Sequence, residues 1–298
     1  MIIQFFHSGK QYVITNPGIA VAQYQFFPNN PHSGLYYWNN QGFHRRKCLK
    51  SLGDYKPSLD AAPINGAQIV FWGEWEPHSV FHFVPDHADN GHHPRHIHEP
   101  FFSREREGVQ NTDPFVFGDR FLYSNCLQSK PLMQNVPNES LILFGSEIYS
   151  EDAINFVLDT VFVVQESIPI NRRTVQAIRE RTSQIFVDAV LRTINLDANH
   201  RLYFSAPWSE NRQGYFSYVP CKQYQQGVVM LRPVIPIQEF HLRRPGAYQG
   251  VYKITCNDAQ QYWLALTKFL LRHGYSLGIK TYLPETVNIL ETYGQNFA

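Results

Sequence analysis

The residues best suited to chemistry lie in Phe71-Trp72-Gly73-Glu74-Trp75-Glu76-Pro77-His78, where two tryptophans alternate with two carboxylates at the end of an apolar run. In an extended chain successive side chains point to opposite faces, so Trp72, Glu74 and Glu76 would share one of them. An aromatic plane beside carboxylates suits a purine, a pyrimidine or a cationic group, because stacking holds the ring and acceptor oxygens read exocyclic N–H groups. Glu74 and Glu76 are therefore candidate general acid/base residues, and Trp72 and Trp75 candidate ligand-binding residues. Gly73 would let a ligand approach the backbone closely. The same residues also fit a core-edge strand whose tryptophans pack and whose glutamates meet water or arginine.

A second mixed segment runs from Asn111 to Cys126 and carries Asp113, Asp119, Arg120, Tyr123 and Asn125. Alternation places Tyr123 with Asn125, opposite Ser124 and Cys126. Arg120 can clamp a phosphate bidentately, Asn125 can read a base edge or ribose hydroxyl, and Tyr123 can stack a base. Cys126 is a candidate nucleophile or auxiliary catalytic group if a base or a positive environment forms its thiolate. A buried small hydrophobe is the other reading of this thiol. In the structural alternative, Asn111-Thr112-Asp113-Pro114 is a capped turn and Asp119-Arg120 an ion pair.

His92-His93-Pro94-Arg95-His96-Ile97-His98-Glu99 offers an H-x-H pair and a carboxylate, ligand types that bind zinc. No third ligand falls at a characteristic spacing, and neither H-E-x-x-H nor a deaminase-type H-x-E with P-C-x-x-C occurs. Gly91 and Pro94 favour an irregular surface loop over Asp86–Pro100, and no metal or other cofactor is expected. Cys48, Cys126, Cys221 and Cys256 lie far apart without a C-x-x-C pair, against a cysteine zinc site or a disulfide framework. The chain also lacks G-x-x-x-x-G-K-[ST], G-x-G-x-x-G and G-x-S-x-G, which disfavours P-loop NTPases, Rossmann dehydrogenases and α/β-hydrolases.

Lys and Arg number 26 against 25 Asp and Glu, a net charge of +1 over 298 residues, so bulk electrostatic coating of nucleic acid is excluded and any such contact must be local. His44-Arg45-Arg46-Lys47, Asn171-Arg172-Arg173 and His241-Leu242-Arg243-Arg244 are short basic groups that can meet phosphates or stand as solvated turns. No apolar run reaches the roughly 18 residues of a membrane span, and Met1–His7 lacks a basic start and a long apolar stretch. The expectation is a cytoplasmic protein without membrane contact.

These side chains need a scaffold, and the chain reads mostly as strands punctuated by turns. Expected strands are Ile2–Phe6, Gln68–Trp72, Phe121–Tyr123, Ser140–Phe144, Asn155–Val164, Arg201–Phe204, Gly214–Tyr218, Gly227–Leu231 and Ala247–Ile254. Asn257–His273 predicts a helix with Asn257 as N-cap, Trp263, Leu266 and Leu270 on one face, and Gly274 as terminator. Thr174–Ile194 predicts a second, linking helix. The break at Ile168–Arg173 suggests a β-rich ligand-binding unit at 1–168, a connecting helix at 169–200 and an α+β unit, or a continuation of the same domain, at 201–298.

Ser140-Leu141-Ile142-Leu143-Phe144-Gly145-Ser146 with Phe156-Val157-Leu158-Asp159-Thr160-Val161-Phe162-Val163-Val164 resembles the core hairpin of PUA-like barrels, including the ASCH and EVE types. The resemblance covers about 25 residues, and Glu139-Ser140 stands where those families commonly open with Gly-Asp. It implies recognition of RNA or of a modified DNA base, which fold alone does not establish. The expected class is α+β, mainly β, with a PUA-like or other small β-barrel or sandwich core and a few packed helices.

The leading expectation is a nucleotide or nucleic-acid recognition protein whose partner is a nucleotide or a short nucleic acid. Trp72 and Tyr123 would stack a base, Glu74, Glu76 and Asn125 read its edge, and Arg120 engage phosphate. The alternative is an enzyme acting on a nucleotide or similar small polar substrate, with Glu74 or Glu76 as general acid/base and Cys126 or a histidine as auxiliary. A structural or protein-interaction module whose aromatic segments fill its core is the third reading, and exposure of Trp72 and Tyr123 separates it from the others.

Overall fold

Near-continuous runs of Phe, Ile, Val and Leu give the central strands two apolar faces, and burying both draws the strands into sheets with a core on either side. The computed structural model describes residues 1–7, 9, 11, 21–22, 46–75, 79–84, 92–103, 112–150, 153–210, 215–226, 229–244 and 250–288. Its strands are β1 (Ile2–His7), β2 (Val21–Ala22), β3 (Arg46–Lys56), β4 (Ile64–Glu74), β5 (Ser79–Phe83), β6 (His96–Pro100), β7 (Phe102–Ser103) and β8 (Leu122–Tyr123). They continue as β9 (Leu141–Ser150), β10 (Ala153–Ile170), β11 (His200–Ser205), β12 (Val219–Gln223), β13 (Val234–Ile235), β14 (Gly250–Ile254), β15 (Ser276–Thr281) and β16 (Thr286–Val287).

The protein is mainly β, with two mixed sheets and few helices. One sheet runs β14-β1-β9-β10-β11-β8, with β13 added on β10. A second runs β15-β12-β4-β3-β6-β5-β2, and β15 also pairs with β3, so β3, β4, β12 and β15 form a closed circuit of hydrogen-bonded strands, while β7 and β16 pair as a separate two-stranded sheet. β1 lies parallel to β9, and β3 parallel to β6. Both sheets take strands from either side of residue 168: β14 pairs with β1, and β12 and β15 pair with β4 and β3.

The β9–β10 hairpin carries the irregularity that matters most. Register slips between Leu158 and Thr160, leaving Asp159 as the extra residue of a bulge. Before it, Phe156 and Leu158 face one core; after it, Val161 and Val163 face that same core while Phe162 and Val164 face the other. The parity of the strand has changed at Asp159, which frees this carboxylate from the alternation around it.

Several expectations shift. Tyr215–Ser217 carry no strand and Tyr218 makes an isolated bridge with Val161, the strand itself being β12. Residues 229–231 are likewise outside any strand, which comes at β13. The expected linking helix is broken into α2 (Val175–Arg181) and α3 (Gln184–Ala189), because Ser183 turns extended and caps α3 by accepting from Phe186 N. A four-residue turn, α1 (Pro131–Gln134), precedes them in the chain. The C-terminal helix is α4 (Ala259–Arg272), and its cap is Asp258 rather than Asn257, with Asp258 Oδ1 accepting from Gln260 N and Gln261 N. No helix among the described residues is long and apolar enough to cross a membrane.

His96 and His98 belong to β6 and are buried, which corrects the surface-loop expectation for this end of 86–100. Burial, with Lys47 nearby, holds the His98 imidazole well below its usual range, and Ser79 Oγ pairs with His98 Nδ1 at 2.9 Å. Among the described residues no three His, Cys, Asp or Glu side chains gather as a metal-binding set.

Candidate functional site

A chain of buried ionisable side chains crosses from one sheet to the other. β1 places His7 on the same side as Ile3 and Phe5, and its ring lies 5.0 Å from that of Phe5. β3 and β4 hold Arg46 directly opposite Glu74 in antiparallel register. Arg46 Nη1 donates to Glu74 Oε2 over 2.7 Å, and His7 Nδ1 lies 3.2 Å from the same oxygen. The other arm of the guanidinium reaches Gly145 O at 3.3 Å, and its Nε faces Asp159 Oδ2 at 3.3 Å.

Asp159 then stands between two arginines, with Arg232 Nη2 4.0 Å from its Oδ1. Neither Asp159 oxygen accepts a hydrogen bond of good geometry from a described residue, although the side chain is buried. Arg232 donates to Gly9 O over 2.7 Å and to Ser146 Oγ, and lies over the Trp72 ring at 5.2 Å. Burial raises the Asp159 carboxyl, and the two guanidinium groups partly offset that. Burial works against the charge on Arg46, but Asp159 and Glu74 outweigh it and raise its pKa; on Arg232 burial prevails and lowers it to about 10. Ionised groups withdrawn from water at this density are expensive to keep, and such arrangements concentrate at functional sites.

The segment 112–126 forms the adjoining wall. Thr112 Oγ1 donates to Glu74 O over 2.8 Å. Asp113 accepts from Ser124 N at 3.0 Å, Asn125 N at 2.9 Å and Cys126 N at 2.7 Å, which folds residues 124–126 around its carboxylate. Burial nonetheless pushes Asp113 up to about 7, against the pull of those three donors and with Glu74 adding to the rise. Phe5, His7, Arg46, Glu74, Asp113 and Asp159 thus surround a crevice whose open space is about 20 Å³. That is room for one water-sized group.

The sequence-expected residues divide between this crevice and elsewhere. Glu74 lines it, whereas Cys126 and Asn125 do not and stand behind Asp113, which their backbone N–H groups bind. Asn125 Nδ2 meets no acceptor among the described residues. Trp72 and Tyr123 are 1% and 0% exposed, so neither presents a ring face to solvent, and at these two rings the outcome is the one expected of aromatic segments that fill the core. Trp72 Nε1 donates to Met230 O over 2.9 Å; Tyr123 stacks on Tyr203 at 5.6 Å and its hydroxyl donates to Cys126 O. Trp75 is buried on the opposite side of β4 against Phe102 and Phe117. Arg120 lines a separate, larger cleft. Glu76 and His78 lie outside the described residues.

His7, Arg46, Asp159 and Arg232 were not singled out as site residues. Arg46 sits in the basic tetrapeptide that reads as a phosphate contact or a solvated turn, and Asp159 is the single acidic residue in the apolar run 156–164, a signal that burial would have to be explained. His7 and Arg232 carry no local sign, because their partners lie on strands distant in the chain. No protein-family model, curated protein or solved structure matches this chain.

Proposed function

We propose that this protein is an enzyme acting on a nucleotide or similar small polar substrate, with Glu74 and His7 as its acid–base pair. The observation that carries the reading is the sharing of Glu74 Oε2 by His7 Nδ1 and Arg46 Nη1 inside the crevice. A carboxylate on one imidazole nitrogen orients the ring and stabilises its protonated form, so proton exchange with a substrate falls to Nε2. Arg46, held between Glu74 and Asp159, supplies a fixed positive charge for negative charge that develops on the reacting group. The small crevice admits only the reactive end of a substrate, and the burial of Trp72 and Tyr123 gives no support to base stacking on those two rings.

The test is a mass-spectrometric turnover screen with nucleoside mono-, di- and triphosphates and short oligonucleotides. Turnover that disappears in His7→Gln and in Glu74→Gln, while a substitution at the remote exposed Arg172 leaves it intact, supports the reading. No turnover of any compound, or undiminished turnover in a folded His7→Gln protein, overturns it.

A further inference from the structure

We propose that the cleft between Arg120, Arg181 and Lys280 binds a nucleoside phosphate, at a site distinct from the acid–base crevice and independent of its chemistry. The cleft is roomier than that crevice, with a volume of about 720 Å³, within the range of small-molecule sites. Its floor is apolar: Phe115, Phe117, Leu122 and Phe204 line it and are buried. Its walls are ionic.

On one wall two guanidinium groups converge. Arg120 lies over the Phe204 ring at 4.8 Å and Arg181 at 4.6 Å, and both donate to the same oxygen of Glu166, at 3.0 and 2.5 Å. Two arginines directed at one carboxylate oxygen form an anion-binding arrangement with one positive charge in excess. Their side chains are 28% and 38% exposed, so a ligand can reach them. Lys280 also lines the cleft, paired at 2.5 Å with an Asp119 that is 86% exposed, a contact that water screens and a ligand can displace.

Each part of a nucleotide finds its counterpart here. The arginine pair and Lys280 suit phosphate, the half-buried Tyr282 and exposed Leu283 at the rim suit a base, and Glu180 suits ribose hydroxyls or exocyclic amines. Arg120, Arg181 and Lys280 stand against Asp119 and Glu180 in the lining and Glu166 behind the arginines, so the charges balance. A nucleic-acid strand draws its affinity from many phosphate contacts, so this balance favours a single phosphate-bearing molecule, which displaces Asp119 or Glu166 from its partner, over a strand.

Calorimetric titration of the intact protein with the four nucleoside 5′-monophosphates, adenosine, inorganic phosphate and a ten-residue oligothymidylate tests the proposal. At least one monophosphate should bind below about 1 mM, with the nucleoside and inorganic phosphate each at least about ten-fold weaker. Arg120→Gln and Arg181→Gln should each weaken that monophosphate by about ten-fold or more, and Arg172→Gln, at an exposed arginine outside the cleft, should leave it unchanged. Should an arginine variant fail to fold, Leu283→Trp at the exposed rim should block binding instead. Absence of monophosphate binding, binding unaffected by the arginine and Leu283 variants, inorganic phosphate as tight as the nucleotide, or an oligothymidylate preferred over every monophosphate overturns it.

Discussion

Arg46 and Glu74 face each other across β3 and β4, and their buried side chains meet at 2.7 Å on an oxygen that His7 also approaches. A cross-strand pair at a sheet surface contributes a few tenths to about 1 kcal/mol. Withdrawn from water the same pair behaves differently, because each charge then depends on the other for its solvation.

Removing one member should therefore be costly. Glu74→Leu or Arg46→Met is expected to lower unfolding free energy by about 3–5 kcal/mol, since a buried charge loses a partner. The joint replacement Arg46→Met with Glu74→Leu should lose clearly less than the two single losses added together. Urea unfolding of the three variants checks this, and strict additivity would reject the account of the pair as a mutually solvating unit.

Asp113 makes stability depend on pH in a stated direction. Its folded pKa of about 7 lies above the ordinary 3.8. Between those values the folded chain holds a proton that the unfolded chain releases, so this carboxyl's contribution is complete below the lower value and is lost as pH rises through the higher one. The wild-type advantage over Asp113→Asn should thus shrink from pH 4 to pH 8, by as much as about 4 kcal/mol for a shift of about three units. Denaturation midpoints of both proteins across that range decide it; a difference that stays level or grows contradicts the assignment.

Gly145 and Gly73 both line the crevice but should respond differently to a methyl group. A Cβ on Gly145 would stand 2.2 Å from Val157 O and 2.6 Å from the Phe156 ring, so Gly145→Ala must part the β9–β10 hairpin and should cost about 1–3 kcal/mol.

At Gly73 the nearest atom would be Leu49 Cδ1 at 3.6 Å, an ordinary contact. Gly73→Ala is expected to keep its stability within about 0.5 kcal/mol of the wild type. Once a substrate is known, the variant should raise KM by narrowing the approach to Glu74. A normal melting temperature with unchanged kinetics would show that the ligand does not pass this residue.

Local pattern was sufficient wherever one segment's own residues decide its state. The β-branched and aromatic runs of β1, β9, β10 and β11 read as strands, and α4 was legible from its cap region, its apolar spacing and Gly274, whose φ of +78° ends the helix. The segments holding Glu74, Asp113 and Cys126 were also legible as places where polar chemistry interrupts apolar strands. What only the tertiary structure decided is which charges meet. β3 begins Arg46-Lys47, which reads locally as a basic group that meets phosphate or water; pairing with β4, β6 and β15 makes it an interior strand and turns Arg46 inward. Asp159 leaves the alternation of its strand because of a bulge, a property of its pairing with β9. His7 reaches Glu74 across 67 positions of chain, and Arg232 reaches Ser146 across 86. Propensity and periodicity act over a few residues, whereas a buried charge is tolerated only where folding brings its counter-charge within about 4 Å, so such a site comes into being with the packing of the sheets.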